Sequence, residues 1–222
     1  MREIVLDTET TGLNHGGGDR IVEIGCVELL NHMVTGQTFH TFVNPERDMP
    51  EGAFRVHGLS EEFLSKHSIF SDIVDEFIDF LGDSTLVIHN AEFDMGFINA
   101  EFKRLGREEL SLERAIDTVK MARRKFPGAQ ASLDALCRRF NIDLSDRQQH
   151  GALKDARLLA DVYLELTGGR QPDLKLAAME QSVDERKIKH KQRSPRIHSP
   201  NSEEKAAHER FLEKMAAPIW NV

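Results

Sequence analysis

Asp7 and Glu9 close the apolar run Ile4-Val5-Leu6 and stand two residues apart. In a strand that spacing puts both side chains on one face. Two carboxylates side by side at a buried strand end repel each other, and a shared cation removes the cost. Oxygen-only ligands suit Mg²⁺ or Mn²⁺. For the pair alone, acids that simply end a strand in water are an equal reading. Asp94 closes His89-Asn90-Ala91-Glu92-Phe93-Asp94, which follows the short apolar run Leu86-Val87-Ile88. The strand would deliver its carboxyl end to a turn, the place where open α/β sheets hold their sites. Taken alone, the plainer reading is that Asn90 and Asp94 serve the helix amino terminus. His150-Gly151-Ala152-Leu153-Lys154-Asp155 repeats the arrangement, with His150 ahead of a helix and Asp155 in its early turns.

Together these segments offer four carboxylates and a histidine, each at an expected strand end or helix start. Such a set can hold two divalent ions. The ions would lower the pKa of a water and stabilise the attacking and leaving oxygens of an in-line phosphoryl displacement. A histidine neutral near pH 7 is suited to take the water's proton. The chemistry implied is metal-dependent phosphodiester hydrolysis, with substrate and polarity left open.

The positioning elements follow from periodicity. Strands are expected at 3–9, 20–30, 35–43, 85–88 and 115–118, with Asn44-Pro45 ending the third. Ile69, Phe70, Ile73, Val74, Phe77, Ile78 and Leu81 have helical spacing, as do Phe93, Phe97, Ile98 and Phe102. Further helices are expected at 119–126, 132–140 and 152–167. Three strands followed by strands alternating with helices imply an α/β fold with one mixed five-stranded sheet.

The chain of 222 residues carries a net charge of −8, which excludes a simple basic nucleic-acid coat but not a nucleic-acid enzyme. Residues 1–170 hold 19 Lys and Arg against 29 Asp and Glu, and residues 171–222 hold 10 against 8, so the acidity belongs to the first part. Lys120, Arg123, Arg124, Lys125, Arg138 and Arg139 form a local basic run, for which a solvated helix face is the plainer reading. Two cysteines, Cys26 and Cys137, sit among apolar neighbours and read as reduced core residues. Apolar runs are too short for a membrane span and the start does not read as a secretory signal, so a cytoplasmic protein is expected. The expected organisation is a domain over 1–169, a short motif over 170–176, a flexible linker over 177–203 rich in Lys, Arg, Gln and Ser, and a helical segment over 204–222. A terminal helix that short needs a partner surface for its apolar stripe.

Asp-Thr-Glu-Thr-Thr-Gly at 7–12, His-Asn-Ala-Glu-Phe-Asp at 89–94 and His-Gly-Ala-Leu-Lys-Asp-Ala at 150–156 together resemble the three motifs of the DEDDh exonucleases. The resemblance implies a ribonuclease-H-like fold and release of 5′-mononucleotides from a 3′ end. It makes Asp7, Glu9, Asp94 and Asp155 the ligands of two divalent ions, Mg²⁺ or Mn²⁺, and His150 the general base. Val56-His57-Gly58-Leu59, Ser132-Leu133-Asp134-Ala135-Leu136-Cys137 and Tyr163 to Gly169 narrow the likeness to the proofreading epsilon subunits of bacterial DNA polymerase III. His57 would then face the terminal nucleotide, alongside Asp7, Glu9 and Asp155. Glu51 is the candidate for an acid that the family places a few residues earlier, with the spacing shifted by one.

The tail extends the resemblance. Gln171, Leu174 and Leu176 resemble a short motif that binds the sliding clamp. Glu203 to Glu209, with Phe211, Leu212 and Trp220, resembles the segment that binds the polymerase alpha subunit, and the linker between would tether the two. The partners implied are DNA with a single-stranded or frayed 3′ end, the alpha subunit, the clamp and a small theta-like subunit, with no membrane. Two other readings remain: a DEDDh exonuclease acting on RNA ends, and a non-catalytic adaptor between polymerase and clamp. The presence of all five motif residues argues against the adaptor.

Overall fold

A computed structural model describes residues 1–145, 150–169 and 199–215. The clamp-like motif, the linker as far as residue 198 and Trp220 lie outside the described residues. The chain divides into two units, 1–174 and 175–222.

The first unit is built on a five-stranded sheet. Its strands are β1 (Arg2–Thr10), β2 (Ile21–Leu30), β3 (Met33–Phe42), β4 (Thr85–Ile88) and β5 (Ala115–Asp117), in the order β3-β2-β1-β4-β5. β1, β2 and β3 pair antiparallel, whereas β4 and β5 join parallel to β1. The mixed sheet expected from the element order is therefore present. β2 turns into β3 through Asn31 and His32, at φ 53° and 65°, the positive pair that a tight two-residue hairpin requires.

Both faces of the sheet are covered. Ile4, Leu6, Leu86 and Ile88 pack on one side with α3 (Phe70–Leu81) and α4 (Ala91–Arg104). Val5, Val27 and Val87 pack on the other side with α5 (Thr118–Lys125), α6 (Leu133–Phe140) and α7 (Ala152–Thr167). Cys26 and Cys137 are buried thiols, one on each side. Strand alternation then sorts the rest of β1: Asp7 and Glu9 share the face of Val5, toward α7, while Thr8 shares the face of Leu6, toward α4.

Two short helices, α1 (Glu51–His57) and α2 (Glu61–Leu64), occupy a stretch where periodicity pointed to no element. Their signals are in the caps. Pro50 precedes α1, Gly58 ends it at φ 74°, and the Ser60 side chain accepts from Phe63 N at the start of α2. No described helix is long and apolar enough to cross a membrane. In the second unit, α8 (Ser202–Leu212) starts at a capping box between Asn201 and Glu204. Phe211 there is exposed and Leu212 half-buried.

The approach of α7 depends on Gly25, which lies opposite Asp7 on β2. A Cβ on Gly25 would stand 2.2 Å from Leu153 N and 2.3 Å from the Ala152 carbonyl carbon. Backbone cannot give way as a side-chain tip can, so Gly25→Ala must push the start of α7 off the sheet. The expected cost is about 3 kcal/mol, the upper end for overpacking, or a thermal midpoint lower by roughly 6–12 °C. An unchanged midpoint would show that α7 does not need this close approach.

Candidate active site

The carboxyl end of β1 gathers the acids. Glu9 is 9% exposed, Asp94 2% and Asp155 4%; Asp7 beside them is half-buried. The Asp7 carboxyl is raised well above its ordinary range, first by burial and then by the charges of Asp94, Glu9, Asp155 and Glu23. That mutual influence places the acids of all three motifs, which are far apart in sequence, in one electrostatic cluster.

Asp94 reaches the cluster from α4. Its Oδ1 accepts from Thr8 N at 3.0 Å and from Thr8 Oγ1 at 2.7 Å. Burial nevertheless pushes its pKa up to about 7, against the lowering effect of those bonds. The reading of Asn90 and Asp94 as mere helix caps is incomplete. Asn90 sits at φ 70° and ψ 59° and gives α4 no side-chain cap, while Asp94 is tied to β1. Thr8 is a positioning residue hidden in the sequence between two acids; the alternation of β1 marks it as facing α4.

Asp155 reaches the cluster from the first turn of α7. His150 Nδ1 lies 3.1 Å from Asp155 Oδ2. Donation from Nδ1 to this carboxylate puts the imidazole lone pair on Nε2. Among the described residues, Glu9, His150 and Asp155 each offer a ligand atom within 4.8 Å of the others. The carboxylates of this set, with Asp7 raised by surrounding negative charge, fit divalent cations: the cation charge would answer the repulsion and such cations prefer oxygen.

A cavity of about 420 Å³ adjoins Glu9, lined also by Thr10, Leu13, Val56, His57 and Phe93. His57 ends α1 and is 5% exposed. Its Nδ1 accepts from Leu59 N at 3.0 Å, which leaves the proton on Nε2, where the Thr10 backbone interacts with the ring. Burial lowers its pKa, the Thr10 backbone and the Glu23 charge oppose that, and His150 adds to the lowering. The backbone of His150 bonds to Val56 O at 3.4 Å, linking α1 to the start of α7. Glu51 begins α1, exposed and paired with Arg55, outside the cavity lining.

The basic run is spent largely on structure. Lys120 pairs with Glu92 at 2.9 Å. Lys125 Nζ donates to the Glu165 and Leu166 carbonyls at the end of α7. The Arg139 guanidinium stacks 4.5 Å above the Phe126 ring.

Comparisons with known proteins agree with this architecture. The family described as Exonuclease (RNase_T) matches residues 4–163. The DNA polymerase III subunit epsilon of Rickettsia felis is 50% identical over 221 residues, covering 96% of each chain. That of Escherichia coli is 48% identical over 176 residues, 76% of this chain and 72% of its own. Among solved structures, exonuclease X in complex with 5′-overhanging duplex DNA gives a TM-score of 0.59 at 26% identity, over 74% of this chain and 90% of its own. The nuclease domain of 3′hExo, a DEDDh family member bound to rAMP, gives 0.65 at 19% identity, over 75% of this chain and 91% of its own, a likeness of fold.

The raised acids have a measurable consequence without any substrate. Asp94 binds its proton up to about 7 in the folded chain, against 3.8 as the ordinary value. In that window the folded state holds a proton that the unfolded state has lost, so stability falls as pH rises. Thermal unfolding in EDTA is expected to give a higher midpoint at about pH 6 than at about pH 8, and Mn²⁺ to raise the midpoint more at the higher pH. A midpoint in EDTA that is higher at the alkaline pH, with no response to Mn²⁺, would contradict the cluster.

Proposed function

We propose, for a chain that belongs to the exonuclease family of DNA polymerase III epsilon subunits and is a 3′→5′ proofreading exonuclease, that Asp7, Glu9, Asp94 and Asp155 hold its divalent cations and His150 serves as its general base. The observation that carries the assignment is the convergence of Glu9, His150 and Asp155 beside Asp7. DEDDh exonucleases depend on divalent metal, and two Mg²⁺ or Mn²⁺ ions bound here would lower the pKa of the attacking water and neutralise charge on the phosphate and leaving oxygen.

The chain's own residues do the rest. Asp155 holds the His150 ring by Nδ1, so that Nε2 faces away from the carboxylate to accept the water's proton. Water adds to phosphorus, the bond to the 3′-oxygen of the preceding nucleotide breaks, and that oxygen leaves as a hydroxyl. The products are a 5′-mononucleotide and a chain shorter by one. The cavity beside Glu9 seats the terminal nucleotide: Leu13, Val56 and Phe93 offer apolar surface to the base, and His57 lines it as a polar group. A cavity for one unpaired nucleotide favours frayed ends, because a mismatched base costs less to unstack than a paired one.

The same reading assigns the remainder of the chain. The domain ends near residue 169, Gln171, Leu174 and Leu176 engage the sliding clamp, and Phe211, Leu212 and Trp220 engage the polymerase alpha subunit. The residues between act as a tether. A theta-like subunit is a further partner in this reading. The cytoplasm is the compartment for such an assembly.

Digestion of a 5′-labelled primer with a mispaired 3′ end tests the site. With Mg²⁺, a ladder should shorten from the 3′ end; EDTA or Asp7→Ala should stop it. His150→Gln should slow cleavage roughly 10²–10⁴-fold, the usual share of a general base, while leaving Mn²⁺-dependent thermal stabilisation in place. Full cleavage by Asp7→Ala would remove the cation site from this end of β1.

A further inference from the structure

β2 brings one more acid to the cluster. Glu23 lies directly opposite Glu9 in the β1–β2 ladder and is 5% exposed. Like charges directly opposite in a sheet destabilise it, and an apolar residue would pack such a position at no electrostatic cost. The acid is instead held in place. His40 Nε2, from β3 on the same face, lies 2.7 Å from Glu23 Oε1. The carboxylate also lies against the chain that leads into α7, since a Cβ on Gly151 would stand 3.9 Å from Glu23 Oε2 and 4.0 Å from Oε1. Glu23 thus sits between β1, which carries Asp7 and Glu9, and the segment that carries His150 and Asp155. Its charge acts on Asp7 and on His57.

Joining β2 to β3 explains neither the charge nor its place. A glutamine would bond His40 as well, without opposing Glu9. His40 gives the charge a partner when protonated; a divalent cation beside Asp7 and Glu9 would give it a second. We propose that Glu23, steadied by His40, is a positioning residue of the cation site: a fifth carboxylate that strengthens the anionic field around Asp7 and Glu9 and tightens divalent-cation binding without touching the substrate. The inference rests on the cation site assigned above.

The test uses the full chain and Mn²⁺ alone, without DNA, in isothermal titration calorimetry. Glu23→Gln keeps shape and hydrogen-bonding capacity but removes the charge. It should weaken Mn²⁺ binding about tenfold, the lower end of what outer-shell changes cost. Its thermal midpoint in EDTA should equal or exceed that of the unaltered chain, because a repulsion is gone. Glu23→Asp should recover part of the affinity, and Glu23→Gln should need about tenfold more Mn²⁺ for half-maximal primer digestion. Unchanged affinity in Glu23→Gln overturns the proposal. So does a weakened affinity that Glu23→Asp does not recover, which would mark a purely structural role. Asp7→Ala separates the two levels. If it also binds Mn²⁺ normally, the cation site itself is wrong; if it loses binding while Glu23→Gln keeps it, only the role of Glu23 falls.

Discussion

Repulsion among carboxylates at the end of β1 is the constraint around which this fold is arranged. Asp7 is raised by burial, by Glu9 on its own strand, and by Asp94, Asp155 and Glu23 from three other elements. Each neighbour arrives by a separate structural route, so the cluster is a tertiary construction and not a run of acids. A fold that buries so many like charges gives up stability in the cation-free state. It retains a place where divalent charge binds strongly and where a phosphate, itself anionic, can meet a positive surface.

The geometry follows from two simple periodicities. Alternation along β1 sends Asp7 and Glu9 toward α7 and Thr8 toward α4. Thr8 then receives Asp94 through two hydrogen bonds to one oxygen. On the opposite face, Gly25 opens the room that lets the first turn of α7 carry Asp155 to the cluster. The negative net charge of the chain is consistent with this arrangement, since the acidity is concentrated in the unit that holds the site. The basic run that might have offset it is engaged with Glu92, the end of α7 and the Phe126 ring.

The sheet and its long helices were legible because apolar spacing marks them. The motif acids were legible because their types recur at strand ends and helix starts. The short helix α1 was not, since seven residues give no period to read; its signal lay in Pro50 before it and Gly58 after it. Glu23 passed unnoticed for a different reason. Within Ile21 to Leu30 it is one acid in an apolar strand, and only the ladder register shows it opposite Glu9. Thr8 and Gly25 were hidden likewise, because their roles depend on which residue stands across from them. The clamp-like motif and Trp220 lie outside the described residues, so their assignment still stands on resemblance.

Anomalous diffraction from crystals of the full chain grown with Mn²⁺ tests the central claim most directly. The account predicts anomalous density among the carboxylates of Asp7, Glu9, Asp94 and Asp155 near His150, and its loss in crystals of Asp7→Ala. Well-ordered crystals with Mn²⁺ bound elsewhere, and none among these carboxylates, would contradict it.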